Sequence, residues 1–74
     1  MKKASGKEIV KALQKNGFFV CRQKGSHVHL VKKGDGRELH VTVPVHANKD
    51  LNPFVMRSIA RQAGYKMEEF EELL

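Results

Sequence analysis

Residues 18–43 read FFVCRQKGSHVHLVKKGDGRELHVTV, and apolar and polar residues alternate through much of this segment. Alternation with a period of two is typical of strands that bury one face and expose the other. Two glycine-containing sites, Lys24-Gly25 and Gly34-Asp35-Gly36, interrupt the pattern with residues that favour hairpin turns. We therefore predict three antiparallel strands, over residues 18–23, 26–32 and 37–43.

The second turn sets the register between the last two strands. If Gly34-Asp35 is a two-residue turn, one face of the hairpin is apolar and the other carries histidines. The apolar pairs are then Leu30–Leu39 and Val28–Val41, and the polar pairs are His29–His40 and His27–Thr42.

The first turn leaves two registers open for the first strand. A two-residue turn at residues 24–25 would place Arg22 opposite His27, whereas a three-residue turn would move Phe18 and Val20 into the core.

Helices are predicted on both sides of the strands. Ser5 and Glu8 form a capping-box pattern at the start of the first helix, and Gly17 is placed to end it. The dipeptide Asn52-Pro53 marks the start of the second helix, which is expected to stop at Gly64.

The predicted order is helix, three-stranded meander, helix, followed by a short amphipathic helix within residues 67–74. Both main helices are expected to cover the face that carries Leu39, Val41 and Val43, leaving the opposite face open. This is the α+β arrangement of a double-stranded-RNA-binding domain. Because 74 residues suffice for only one small core, we expect residues 1–74 to form a single domain.

The charge of the chain is strongly uneven. Residues 1–65 carry 13 basic and 4 acidic side chains, a net charge of +9, whereas the whole chain has +6. A field of this sign attracts polyanions, of which nucleic acid is the commonest in a cytoplasm. The lone cysteine and the lack of a long apolar segment indicate a cytoplasmic protein with no disulfide and no membrane span. We expect Cys21 to be a small buried strand residue, since nothing marks it as activated.

Histidine is frequent in this sequence, and His27, His29 and His40 are predicted to share the open face. A neutral imidazole can take a proton from one oxygen and return it to another, as RNA transesterification requires. Nearby lysine and arginine side chains would stabilise the charge that develops on phosphorus. Histidines on an open strand face can equally be tolerated polar residues, so the residue pattern leaves both interpretations open.

Two other kinds of site find less support. His27, His29 and His40 could bind Zn²⁺, but their surroundings are strongly positive and no carboxylate is placed to complete the site. Ser26 and His27 are neighbours in a strand and point to opposite faces, so they do not form a nucleophile and base. We therefore expect no metal ion and no cofactor.

Five short motifs are spread along nearly the whole chain. They are Ser5-Gly6-Lys7-Glu8, Gly17-Phe18, Arg22-Gln23-Lys24-Gly25-Ser26-His27, Val43-Pro44-Val45-His46, and Arg57-Ser58-Ile59 with Gln62-Ala63-Gly64. Each motif is weak alone, but the combination is specific. It resembles the HicA family of toxins from bacterial and archaeal toxin–antitoxin pairs.

The resemblance implies a small ribonuclease that inactivates mRNA, with His27 of the Gly-Ser-His motif as the essential group and a HicB-type antitoxin as its partner. Val28 separates His27 from His29, whereas some relatives have two adjacent histidines, so no catalytic role is carried over to His29. The residues expected to bind RNA are Lys7, Lys11, Arg22, Lys24, Ser26, His29, His40 and His46. The alternative function is a non-catalytic double-stranded-RNA-binding module.

Overall fold

A computed structural model describes residues 2–46 and 49–74 of the chain. Its elements are α1 (Gly6–Lys15), β1 (Phe19–Lys24), β2 (His27–Gly34), β3 (Arg37–Pro44), α2 (Pro53–Gln62) and α3 (Met67–Leu73). The strands form one antiparallel sheet in the order β1-β2-β3, which confirms the predicted α-β-β-β-α layout with a short C-terminal helix. In those residue ranges no helix has the length and apolar composition needed to cross a membrane.

The two main helices begin at the predicted caps. The Glu8 backbone N–H donates to the Ser5 hydroxyl at 3.2 Å, and the Ser5 backbone N–H donates to the Glu8 carboxylate at 3.0 Å. At the start of α2, the Phe54 backbone N–H donates to the Asn52 side-chain oxygen at 2.8 Å. These bonds satisfy backbone donors that the first turn of a helix leaves unpaired.

The core lies between the helices and one face of the sheet. Its strand residues are each at most 6% exposed and comprise Val28, Leu30, Val41 and Val43. Its largest helix residues are Ile9, Leu13, Met56, Ile59 and Phe70. Phe70 is fully buried, so the glutamate-rich C-terminal helix is anchored in the core by its apolar side.

The turn between β2 and β3 lies one residue later than predicted. Gly34 pairs with Arg37, so Asp35 and Gly36 are the central residues, with φ angles of 32° and 78°. A type I′ hairpin turn needs positive φ at both positions, and Asp-Gly is among the dipeptides that favour it. The predicted pairing is therefore wrong by two residues, and the observed pairs are His27–Pro44, Val28–Val43, His29–Thr42 and Leu30–Val41. A shift of two preserves the face of each side chain, so the apolar face and the histidine face are confirmed.

The turn between β1 and β2 matches neither of the two registers left open, because its two residues are 25–26. As a result, Lys24 pairs with His27, and Arg22 pairs with His29 rather than with His27. The cationic side chains of β1 and the histidines of β2 nevertheless share the open face.

A β-bulge at Cys21 changes the face to which the start of β1 points. The bulge lies between Val20 and Arg22, and its extra residue lets Phe18 enter the core at 3% exposure while Arg22 stays beside the histidines. The observed strand therefore combines one consequence of each open register, although Val20 remains 40% exposed. The expectation that Cys21 is buried is wrong: its thiol is exposed at the bulge, 3.5 Å from the backbone oxygen of His29.

The start of α1 touches the end of β3 through a residue without a side chain. A Cβ on Gly6 would overlap the backbone carbonyl oxygen of Pro44 and press on Val45. Pro44 pairs with His27 across the sheet. This close approach places the N-terminus of α1 at the end of the sheet that carries His27.

Candidate functional site

The open face of the sheet carries alternate residues of all three strands. They are Phe19, Arg22 and Lys24 from β1, His27, His29, Val31 and Lys33 from β2, and Glu38, His40 and Thr42 from β3. Val31 has Phe19 and His40 opposite it on the neighbouring strands and is only 6% exposed. The open face is thus apolar near Val31 and polar toward the β1–β2 turn.

His27 lies in a depression at that turn. The depression has a volume of about 490 Å³ and is lined by Arg22, Lys24, Gly25, Ser26, His27, His29 and Thr42. The His27 side chain is exposed, so solvent and a ligand can reach its ring. The structure therefore brings five of the predicted site residues together: Arg22, Lys24, Ser26, His27 and His29.

The lining of the depression is positively charged. Lys24 lies opposite His27 and Arg22 lies opposite His29, so each histidine has a cationic neighbour on β1. Among residues 2–46 and 49–74, no carboxylate is part of the lining. Ammonium and guanidinium groups donate charge-assisted hydrogen bonds to phosphate oxygens, so this depression is suited to an anionic ligand.

A chain of hydrogen-bonding side chains crosses the open face from Thr42 to Glu38. His29 Nδ1 lies 3.2 Å from Thr42 Oγ1, and His29 Nε2 lies 3.1 Å from His40 Nδ1. His40 Nε2 in turn lies 3.1 Å from Glu38 Oε1. The two histidines are diagonal neighbours on adjacent strands, a spacing that aromatic side chains can bridge.

The sequence placed Thr42 on the histidine face but assigned neither Thr42 nor Glu38 to the site. Both lie at a spacing of two from His40 on β3, and this period was the available signal. The prediction that no carboxylate is placed near the histidines is corrected by the contact between Glu38 and His40.

The backbone of Thr42 is held by α2. Because β3 is an edge strand, the Thr42 N–H points away from β2, and it donates to the side-chain oxygen of Gln62 at 3.0 Å. The Gln62 amide group in turn donates to the Ser58 hydroxyl at 3.1 Å. Helix α2 therefore positions one wall of the His27 depression.

Four predicted RNA-binding residues do not line the depression. Lys7 and Lys11 are exposed on α1, which packs on the covered side of the sheet. His46 is exposed and lines a separate depression near the start of α2. Their contact with RNA stays a prediction. His40 lies beside the depression and reaches it through His29.

Within the part of the chain that the structure describes, no group of three or more His, Cys, Asp or Glu side chains is arranged to hold a metal ion. Within the depression, the described residues place the His27 imidazole beside two cationic side chains, Lys24 and Arg22.

The family comparison covers this whole site. The chain matches the model of the family described as the HicA toxin of bacterial toxin–antitoxin over residues 6–65, a range that contains α1, the sheet and α2. No curated protein sequence matches it. Since the family match spans well over half of its 74 residues, the chain belongs to the HicA toxin family.

Proposed function

We propose that this HicA-family toxin is an endoribonuclease that cleaves mRNA by general acid–base chemistry without a metal ion. The observation that carries the proposal is the exposed His27 in a depression lined by Arg22 and Lys24. The net charge of +9 over residues 1–65 and the family membership support RNA as the ligand.

In the proposed reaction, His27 accepts the proton of a ribose 2′-hydroxyl. The 2′-oxygen forms a bond to the adjacent phosphorus, and the bond between phosphorus and the 5′-oxygen breaks. That 5′-oxygen takes up a proton, so the products are a 2′,3′-cyclic phosphate and a free 5′-hydroxyl. Arg22 and Lys24 bind the non-bridging phosphate oxygens, on which negative charge increases in the transition state.

Membership of the HicA toxin family also implies a cognate antitoxin. We propose that a HicB-type antitoxin covers the open face and competes there with mRNA. Acidic groups on the antitoxin would be complementary to Arg22 and Lys24, since interfaces tend to match opposite charges.

Cleavage of long RNA by the purified toxin, freed of any partner, tests the activity. Discrete fragments with 2′,3′-cyclic phosphate ends are expected, and EDTA should not suppress them. His27→Ala should reduce the cleavage rate by about 10²- to 10⁴-fold, the usual contribution of a positioned general acid or base. RNA affinity should persist in His27→Ala and should fall in Lys24→Ala, which separates catalysis from binding.

Undiminished cleavage by His27→Ala would contradict the assignment of the base. If the wild-type toxin binds RNA but leaves it intact, the chain is instead a non-catalytic RNA-binding module. Activity that EDTA abolishes and Zn²⁺ restores would show that the reaction depends on a metal ion.

A further inference from the structure

The four-residue hydrogen-bonded chain has one end in the depression and the other end outside it. Thr42 and His29 line the depression together with His27, whereas His40 and Glu38 lie behind them on the open face. The proposed reaction needs a proton at the departing 5′-oxygen as well as a base for the 2′-hydroxyl. The row of hydrogen-bonded side chains ends in the same depression as that base, His27.

Hydrogen-bonding rules assign the protons in this chain when both rings are neutral. An ionised Glu38 only accepts, so His40 donates to it from Nε2 and must accept at Nδ1. His29 then donates to His40 from Nε2 and accepts at Nδ1, which receives the hydroxyl proton of Thr42. In this state the Thr42 hydroxyl donates to His29 and is not available as a donor to a ligand.

One additional proton on either histidine of the pair reverses the direction of the hydrogen bond between Thr42 and His29. If the charge is on His29, its Nδ1 carries a proton and donates to Thr42 Oγ1. If the charge is on His40, its Nδ1 donates to His29, whose remaining proton again lies on Nδ1. In both cases Thr42 accepts from His29, and its own O–H is free to donate to a ligand in the depression.

We infer that Thr42 delivers the leaving-group proton and that the His29–His40 pair, held by Glu38, supplies it. This inference rests on the proposed function. As the bond from phosphorus to the 5′-oxygen breaks, that oxygen takes the Thr42 hydroxyl proton, and Thr42 Oγ1 takes the proton from His29 Nδ1. The pair becomes neutral, while His27 holds the proton from the 2′-hydroxyl, and exchange with water resets both groups.

Charged groups of all three strands surround the pair. Glu38 on β3 contacts His40, Arg22 on β1 lies opposite His29, and His27 on β2 lines the depression beside it. Lys33 Nζ lies 4.0 Å from Glu38 Oε2. The proposed step needs an unprotonated His27 and a proton on the pair, so cleavage should fall at both low and high pH.

Two substrates with different leaving groups test Thr42 directly. One is an RNA dinucleotide, and the other is uridine 3′-(p-nitrophenyl phosphate), whose p-nitrophenolate departs without a proton. Thr42→Val, which keeps the shape of the side chain, should lower dinucleotide cleavage by about 10²-fold or more and leave nitrophenolate release close to the wild-type rate. His27→Ala should impair both reactions, because both need the base.

Equal rates for Thr42→Val and the wild type on the dinucleotide would overturn the inference but leave the nuclease intact. An equal loss on both substrates would also overturn it, since that pattern indicates a structural role for Thr42. A wild-type toxin inactive on both substrates and on long RNA would remove the proposed function, and the inference with it.

Two further measurements test Glu38 and the His29–His40 pair. Glu38→Gln keeps an acceptor for His40 but removes the negative charge that stabilises a proton on the pair, so dinucleotide cleavage should fall while nitrophenolate release stays close to the wild-type rate. An unchanged rate on the dinucleotide would overturn the role of Glu38. In the free protein, ¹⁵N NMR of the neutral side chains should show His40 protonated at Nε2 and His29 with an unprotonated Nδ1, and the opposite tautomers would overturn the proton assignment.

Discussion

The two faces of the sheet use alternate residues of the same strands but differ in what surrounds them. On the covered face, Val28 and Leu30 are at most 6% exposed among helix residues. On the open face, the adjacent His27 is exposed and His29 is half-buried. The period of two therefore separates residues that stabilise the fold from residues that can contact a ligand.

The separation has an exception at Val31. This residue belongs to the open face by its position but is buried between neighbouring strands. The open face therefore has a small apolar part of its own, and His40 lies directly opposite Val31 there.

The largest expected effect is on the covered face. Leu30→Ala removes a fully buried side chain and should lower the free energy of unfolding by about 2–5 kcal/mol, measured by urea denaturation. His27→Ala, three positions away on the open face, should leave the urea midpoint nearly unchanged. A loss of stability in His27→Ala comparable to that in Leu30→Ala would contradict the separation of the faces.

Gly6→Ala should have the next largest effect, because the added Cβ would overlap the Pro44 carbonyl oxygen in the backbone. Overpacking of this kind costs about 1–3 kcal/mol. Gly34→Ala is the matched control, since a Cβ there has no neighbouring atom within 4 Å. Thermal denaturation of both variants measures the difference, and equal stability would show that α1 can move away from β3 without cost.

Removing a positive charge from the open face should have a smaller effect. It should change the RNA affinity by an amount that depends on the salt concentration. Lys24→Ala should weaken RNA binding and reduce the slope of log affinity against log salt by about 0.7 if Lys24 contacts one phosphate of a single strand. Arg37→Ala, at the opposite turn of the sheet, is the control that should leave the slope unchanged. Identical slopes for the two variants would place the RNA elsewhere on the protein.

The smallest expected effect concerns the α1 cap. The Ser5 backbone N–H holds the pKa of Glu8 below its ordinary value, and the Ser5 hydroxyl adds a smaller contribution in the same direction. Such a carboxylate stabilises the fold above its unfolded pKa, about 4.3, and this contribution is lost as the pH falls through the lower folded value. Urea midpoints of wild type and Glu8→Gln should therefore converge as the pH falls below about 4. A constant difference would contradict a contribution from the charged carboxylate.

Local sequence patterns were sufficient to predict where the two main helices begin. The capping box at Ser5 and the Asn52 cap each involve residues within three positions, so sequence spacing predicts them directly. Sequence was also sufficient to place His27, His29 and His40 on one face, because a shift of two residues in pairing does not change the face, but it left open whether Arg22 shares that face.

The detailed neighbours within that face were not predictable in the same way. The β2–β3 turn lies one residue later than predicted, and the β1–β2 turn matches neither register left open. Each such difference changes which residues stand opposite each other. The bulge at Cys21 adds a residue that no local pattern marked. The contacts of Thr42 and His40 with His29 depend on these pairings, whereas Glu38 lies only two residues from His40 in the same strand.

The alternation of residues 18–43, the caps and the charge distribution specify the elements, the two faces and an affinity for polyanions, because these depend on short-range spacing and composition. The order of side chains from Thr42 through His29 and His40 to Glu38 arose only when strand pairing brought His29 within 3.2 Å of Thr42 and 3.1 Å of His40. Hydrogen bonds of that length are sensitive to a single step of register, so they belong to the assembled sheet and not to any segment of it.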